Sequence, residues 1–221
     1  MSPASSRRQI ETGPTPNRDP RPWLDAVSLG VDNYYRRDQM KAATPDRFTR
    51  IRQPLPEDLY PIALELGVRL GLQPRHLQTL RDVARYHDIG KRAIPARILD
   101  KPAPLDKSEQ EFVREHPEIG ARMLMASLET AHLARLIRST HERWDGRGYP
   151  NRLRGEAIPL ESRIIAVSDA FAAMTSARPF RQTKSEEEAL REIALNAGTQ
   201  FDPDLVREFL LMMGAARARV A

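Results

Sequence analysis

The amino-acid sequence predicts an all-α fold from Pro61 onward, and three observations support this prediction. Apolar residues recur at steps of three and four, which is the spacing along one face of an α-helix. Helix-capping residues precede several of these segments, and proline or glycine separates them. No stretch alternates apolar and polar residues as a half-buried strand would. We therefore expect one helical domain.

The first half of this domain contains four predicted helical segments. Apolar residues recur with helical spacing over 62–70 and again over 77–87. Ser108 and Glu111 have the spacing of a capping box, which predicts the start of a third helix. A further apolar line over 133–137 predicts a fourth.

The second half contains three more. The segment 164–174 is almost entirely apolar and rich in small residues, so we expect it to be buried. Ser185 and Glu188 form another predicted capping box. Asp202 is a predicted N-cap before a last helix over 203–213, whose first residue is a proline.

The composition divides the chain into four predicted regions. Residues 1–22 are rich in proline, serine and arginine and are predicted to be a disordered tail. Residues 23–60 hold one amphipathic segment followed by a proline-rich connector, because each proline removes a backbone donor and breaks a helix. Residues 61–214 form the predicted domain, and 215–221 a second tail.

Several protein classes are disfavoured by the composition. The chain has no cysteine, which excludes disulfides and thiolate sites and fits a cytoplasmic location. No apolar run approaches the ~18 residues of a membrane span. The net charge is +5 and the pI about 9.8, but the basic residues are scattered. A nucleic-acid partner is therefore not predicted.

Three histidines and two aspartates are candidate ligands: His87, Asp88, His116, His141 and Asp169. Helical periodicity turns His87, His141 and Asp169 inward, Asp88 follows His87 near a helix end, and His116 precedes Pro117, where a helix tends to break. A single inward histidine is more often a hydrogen-bonded core residue, and a single buried aspartate often caps a helix. Five such residues on four helical segments instead favour a metal site, because imidazole nitrogens and carboxylates suit Mn, Fe or Zn. Such a site favours phosphoester hydrolysis by activated water.

The chain resembles the HD-GYP family, the branch of HD-domain phosphohydrolases that hydrolyses the bacterial messenger cyclic di-GMP. The resemblance covers about residues 61–213 and rests on HDIGK, IPARIL, HPEIG, HERWDGRGYP, RIIAVSDAFAAMTSARPFR and FDP, in this order. It implies one or two ions of iron, manganese or a similar divalent metal. The implied ligands are His87, Asp88, His116, His141 and Asp169, with Asp88 bridging two ions.

The same resemblance implies further roles. Asp88 and Lys91 would be catalytic, and the groups that hold the nucleotide would be Lys91, Tyr149, Arg178 and Arg181. The GYP turn can be a structural corner, but the resemblance also implies a surface for a diguanylate cyclase (GGDEF) partner, formed by Gly148, Tyr149 and Pro150.

Two positions depart from the family pattern. Leu55 and Thr140 stand where the family has histidines, and Ile51 stands where some members have a glutamate. Carboxylates that could substitute are Glu57, Asp58 and Glu65. Three hypotheses remain open: an active cyclic di-GMP phosphodiesterase, a degenerate domain that binds the nucleotide or a protein without turnover, and a hydrolase of another phosphate ester.

Overall fold

The computed structural model describes residues 59–176 and 183–218, and within these residues the all-α prediction is confirmed. No strand occurs there, and the only pairing of β type is one isolated bridge between Ala197 and Phe201. The α-helices, numbered in chain order, are α1 Leu59–Arg69, α2 Pro74–Tyr86, α3 Ala96–Leu99, α4 Lys107–Arg114, α5 His116–Met125, α6 Ala134–Arg138, α7 Leu160–Thr175, α8 Glu186–Leu195 and α9 Pro203–Ala218. Short 3₁₀ helices over Ile89–Ala93, Ala131–Leu133 and Gly155–Ala157 connect them.

The core is centred on α7. This helix packs against α1, α2 and α8, and its apolar side chains Ile164, Ile165, Val167 and Phe171 are at most 3% exposed. Burying each such side chain stabilises the fold by roughly 1.5–3 kcal/mol. The expectation that this segment is buried is correct, and α7 thereby forms a rigid base beneath the residues discussed below.

Two of the three predicted helix starts are correct. The Ser185 hydroxyl accepts from the Glu188 N–H at 3.2 Å, and the Glu188 carboxylate accepts from the Ser185 N–H at 2.8 Å. Asp202 caps α9 through the Asp204 N–H at 2.9 Å. It also forms a buried ion pair with Arg163, which ties the start of α9 to α7.

The predicted capping box of Ser108 and Glu111 is wrong. Asp106 and Glu109 form the box instead, and the Asp106 side chain accepts from the Glu109 N–H at 2.9 Å. The helix therefore begins two residues earlier, because an aspartate is as good an N-cap as a serine. The last helix also continues to Ala218, beyond the expected end at 213.

Several sequence predictions fall on residues outside the described part. The tail 1–22, the segment 23–58, Leu55, and both Arg178 and Arg181 lie there. The division into domain and tails stays a prediction. None of the helices that the structure describes has the length and apolar character to cross a bilayer.

Candidate metal centre

The centre forms where the end of α2 meets the start of α5. His87 is the C-cap of α2, Asp88 follows it, and His116 is the first residue of α5. The two segments approach so closely that a Cβ on Gly90 would lie 1.9 Å from the His116 carbonyl oxygen. A side chain at this position would push the segments apart, so Gly90 is what allows Asp88 to reach His116.

Backbone hydrogen bonds fix the orientation of both histidine rings. His87 Nδ1 is 2.8 Å from the Ala84 carbonyl oxygen, and His116 Nδ1 is 2.8 Å from the Val113 carbonyl oxygen. A carbonyl only accepts, so each Nδ1 carries the proton and donates. With one proton on the ring, each histidine therefore directs an Nε2 lone pair towards the centre, the arrangement found in metal-ligating histidines.

The five predicted ligands converge on this point. His116 Nε2 lies 2.9 Å from His141 Nε2 and 3.3 Å from Asp88 Oδ1. His87 Nε2 lies 3.4 Å from Asp88 Oδ2 and 3.7 Å from Asp169 Oδ1. These atoms come from the end of α2, the start of α5, α7 and the turn after α6, so His141 lies just beyond the helix on which its spacing predicted it.

A divalent cation fits this donor set. One ligand atom each of Asp88, His116 and His141 lies within 4.8 Å of the others. His87 Nε2 and Asp88 Oδ1 are buried without a hydrogen-bond partner among the described residues. Buried polar atoms are seldom left unpaired, and a nitrogen and oxygen donor set suits Mn, Fe or Zn. Glu65, considered above as a substitute ligand, is not part of this group of donors.

The carboxylates are held ionised. Burial alone would raise the pKa of Asp88, but His116, His87 and Lys91 together hold it well below its ordinary value. The Lys91 Nζ atom lies 2.6 Å from Asp88 Oδ2. Burial likewise raises the pKa of Asp169, and His87 lowers it on balance. Both groups are therefore available as anionic ligands at neutral pH.

Two histidines of the centre differ in their affinity for protons. Burial lowers the pKa of His87, but the Asp169 and Asp88 carboxylates outweigh it and raise the pKa on balance. Burial and the neighbouring His116 lower the pKa of His141 to about 4. His141 is thus neutral at pH 7 and ready to bind a metal, whereas a cation at His87 competes with a proton.

An open cleft of about 770 Å³ lies beside the donors, and His141 and Asp169 belong to its lining. Thr140 also lines the cleft, is 3% exposed, and donates its hydroxyl proton to the Ile137 carbonyl oxygen at 2.9 Å. The Thr140 hydroxyl proton is therefore used by the backbone, and this residue contributes no nitrogen donor to the centre.

Tyr149 forms part of the cleft wall next to the donors. Its ring stacks on His141 with centroids 5.3 Å apart and planes 1° apart, and the Arg114 guanidinium lies 5.7 Å from its centroid. Burial and the nearby carboxylates raise the pKa of Tyr149 to about 12. The hydroxyl thus keeps its proton and is a hydrogen-bond donor at neutral pH.

The loop that carries Tyr149 is organised by Glu142, whose role the sequence analysis did not identify. The buried Glu142 carboxylate accepts from the Asn151 N–H at 2.7 Å and from the Leu153 N–H at 3.0 Å. Gly148 packs on the same residue, since a Cβ there would lie 2.5 Å from Glu142 Cα. The only sequence signal for this role is the acidic residue that follows His141, and it does not indicate which backbone groups the carboxylate binds.

The remaining predicted residues are positioned as follows. Gly148, Tyr149 and Pro150 line the cleft, with Gly148 buried and Pro150 exposed. The roles of all these residues remain predictions, and the structure supplies only their positions.

The chain is similar to known proteins over most of this domain. A family model described as HD domain matches residues 34–205. A cyclic di-GMP phosphodiesterase of Thermotoga maritima is 41% identical over 149 residues, which are 66% of this chain and 40% of that protein. A 3′3′-cGAMP-specific phosphodiesterase 2 of Vibrio cholerae is 38% identical over 143 residues, covering 64% of this chain and 27% of that protein.

A solved structure supports the fold. It is an HDG"Y"P protein from Bdellovibrio bacteriovorus, with a TM-score of 0.60, 16% identity, and coverage of 86% of this chain and 62% of that one. The present chain thus spans less than half the length of the two curated relatives named above.

Proposed function

This chain belongs to the HD domain family and resembles its HD-GYP branch, and from this premise we propose that it hydrolyses a phosphodiester bond of cyclic di-GMP. The observation that carries the proposal is the set of histidine and aspartate donors, two of them buried without a hydrogen-bond partner in the described chain, beside an open cleft. The substrates named for the two relatives, both cyclic dinucleotides, support the substrate class.

Within this proposal, the donors His87, Asp88, His116, His141 and Asp169 hold the metal. A bound divalent cation would supply Lewis acidity, which lowers the pKa of water and neutralises charge on the phosphoryl oxygens. Lys91 lies against Asp88, and its ammonium group would contact a phosphate oxygen. Tyr149 would donate a hydrogen bond to the substrate. Arg178 and Arg181 keep their predicted role as nucleotide-holding residues.

We propose manganese or iron as the metal, with one firmly held ion. Asp88, His116 and His141 are the donors within mutual reach, and His87 and Asp169 adjoin them. A second ion would need a further donor on the side of Thr140, whose hydroxyl is directed to the backbone. A two-metal site stabilises both the attacking and the leaving oxygen, so we expect the number of bound ions to separate efficient from weak hydrolysis.

The second candidate function is a domain that binds cyclic di-GMP without turnover. It is favoured by the combination of an arginine-lined cleft with a threonine in place of a donor. Contact with a diguanylate cyclase through the Gly148–Pro150 turn is compatible with either function, and Pro150 is the exposed residue of this turn. Both candidates place the chain in the cytoplasm, where a bacterial messenger is encountered.

The deciding experiment is an anaerobic incubation of the purified chain with Mn²⁺ or Fe²⁺ and cyclic di-GMP, followed by chromatography of the nucleotides. We expect linear product from the wild type and at least a hundredfold less from Asp88→Asn, since even outer-shell changes cost about 10–100-fold. Asp100→Asn is the matched control, because Asp100 is exposed and outside the centre.

The outcomes separate the candidates. Bound but unchanged cyclic di-GMP in the wild type would overturn hydrolysis and favour the binding domain. Turnover of 3′3′-cGAMP without turnover of cyclic di-GMP would overturn the proposed substrate. Product that persists in Asp88→Asn would place the chemistry elsewhere.

A further inference from the structure

Three arginines in the cleft form no ion pair within the described part of the chain. Arg114, Arg147 and Arg152 line the cleft and are exposed, and none of their guanidinium groups forms an ion pair or hydrogen bond with any residue in 59–176 or 183–218. The Arg114 guanidinium contacts the ring of Tyr149. The fourth cleft arginine, Arg143, differs because Asp145 binds it through two hydrogen bonds of 3.1 and 2.9 Å.

The backbone that carries Arg147 is held in place. The Asp145 N–H donates to the Thr199 carbonyl oxygen at 2.8 Å, and the Arg147 N–H donates to Asp145 Oδ1 at 3.0 Å. Gly146 has a φ of 78°, and Gly148 packs too closely on Glu142 to carry a side chain. Arg147 is thus fixed at the rim of the cleft, while its guanidinium remains available to a ligand.

Arg152 has an unusual conformation for its residue type. Its φ is 55°, in the left-handed region that non-glycine residues seldom adopt. The N–H groups of its two neighbours, Asn151 and Leu153, both bind Glu142. The chain therefore keeps a side chain in a backbone position that favours glycine, and such outliers cluster at ligand-binding sites.

We propose that Arg114, Arg147 and Arg152 form a second anion subsite, which binds the phosphate of a cyclic dinucleotide that is not being cleaved. The inference rests on the proposed function, since a cyclic dinucleotide carries two phosphodiesters in one ring. When one phosphate lies at the metal centre, which adjoins the cleft through His141 and Asp169, the other must lie further along the cleft.

The charges in the cleft favour this assignment. Its lining contains two carboxylates, Glu142 and Asp169; the first is occupied by backbone N–H groups, and the second belongs to the metal donors. The guanidiniums of the three arginines therefore form the part of the lining that attracts an anion. Their planar forks suit phosphate oxygens better than an ammonium would.

The test measures nucleotide binding separately from turnover. Cyclic di-GMP would be titrated calorimetrically into metal-free protein in EDTA, comparing the wild type with Arg147→Gln/Arg152→Gln. We expect a Kd roughly a hundredfold weaker in the double variant, at about tenfold for each charge-assisted hydrogen bond to phosphate that is removed. Arg75→Gln is the control, since Arg75 is exposed and lies about 18 Å along α2 from His87.

A second substrate isolates the metal centre. Bis(p-nitrophenyl) phosphate has a single phosphodiester and needs no second subsite, so its Mn²⁺-dependent turnover should stay within about twofold in the double variant. An equal loss on this substrate would overturn the assignment, because the arginines would then act at the cleaved phosphate.

The remaining outcomes distinguish this inference from the proposed hydrolysis. Unchanged cyclic di-GMP affinity in the double variant would overturn the subsite whether or not the wild type is active. Weakened affinity combined with an inactive wild type would support the subsite and overturn hydrolysis alone. A wild type that binds no cyclic di-GMP without metal would also overturn the subsite.

Discussion

The metal donors and the cleft beside them are built by different forces. The ligand wall, the name used here for His87, Asp88 and His116 next to the cleft, is set by close contact between helical segments, and two of its buried polar atoms lack a hydrogen-bond partner among the residues that the structure describes. The loop wall, residues 142–155, is set by hydrogen bonds to Glu142 and Asp145, both of whose carboxylates are satisfied. The ligand wall therefore has donor atoms available to a metal, whereas the carboxylates of the loop wall stabilise the conformation of the loop.

The contrast has energetic consequences. On the ligand wall, an added side-chain volume forces backbone atoms apart and displaces several donors at once, because packed interiors have low compressibility. On the loop wall, loss of one carboxylate frees backbone N–H groups locally, and the helices can remain in place. Variants of the two walls should therefore fail in different ways.

The largest expected effect comes from Gly90→Ala on the ligand wall. The new Cβ would lie 1.9 Å from the His116 carbonyl oxygen and 2.7 Å from the Gly120 nitrogen, both backbone atoms. We expect a loss of about 3 kcal/mol or more in unfolding free energy, measured by urea denaturation. Metal content, measured by mass spectrometry after Mn²⁺ loading, should fall as well.

Gly214→Ala is the matched control. Gly214 lies in α9 with nothing in the described chain within 4 Å of an added Cβ, so alanine should stabilise the helix by roughly 0.5–1 kcal/mol. If Gly90→Ala retained wild-type stability and metal, close backbone contact would not be what sets the ligand wall.

The same contrast explains what the sequence could predict. His87, His141 and Asp169 were found because each continues an apolar line at helical spacing. His87 is buried as this spacing predicts, whereas His141 lies in the turn after α6 and, like Asp169, is only half-buried. The structure brings these residues together as expected. These three donors could be predicted because local periodicity determines which side chains point inward.

The loop wall could not be predicted in this way. Glu142 acts on N–H groups nine and eleven residues away, and no periodic rule connects them. The wrong capping box has a related cause: Asp106 with Glu109 and Ser108 with Glu111 share one spacing, so the spacing alone does not select between them. The cleft arginines were missed because an exposed arginine has no signature in the sequence.

A smaller effect is expected from Glu142→Gln on the loop wall. An amide can accept from one of the two N–H groups but presents its own NH₂ to the other, so about 1–2 kcal/mol should be lost. Hydrogen exchange should increase at Asn151 and Leu153 while the amides of α7 stay protected. Metal content should not change.

Glu156→Gln controls for the charge, since Glu156 is exposed and lies in the short 3₁₀ helix directly after the loop wall. Equal loss of protection throughout α7 in Glu142→Gln would show that the carboxylate supports the core rather than the loop alone.

The smallest effect on stability, and the sharpest test of the boundary between the walls, is expected from Thr140→His. Thr140 lines the cleft beside His141, and its hydroxyl donates to the Ile137 carbonyl oxygen. An imidazole there would add a donor to the ligand wall, so bound Mn²⁺ should rise from one towards two per chain and bind roughly tenfold tighter.

Thr79→His is the control, because the Thr79 hydroxyl also donates to a backbone carbonyl, 3.0 Å away at Arg75, but far from the donors. Two ions in the wild type would contradict the single-ion proposal. One ion in Thr140→His would mean that the absence of an imidazole at position 140 is not what limits the number of bound ions.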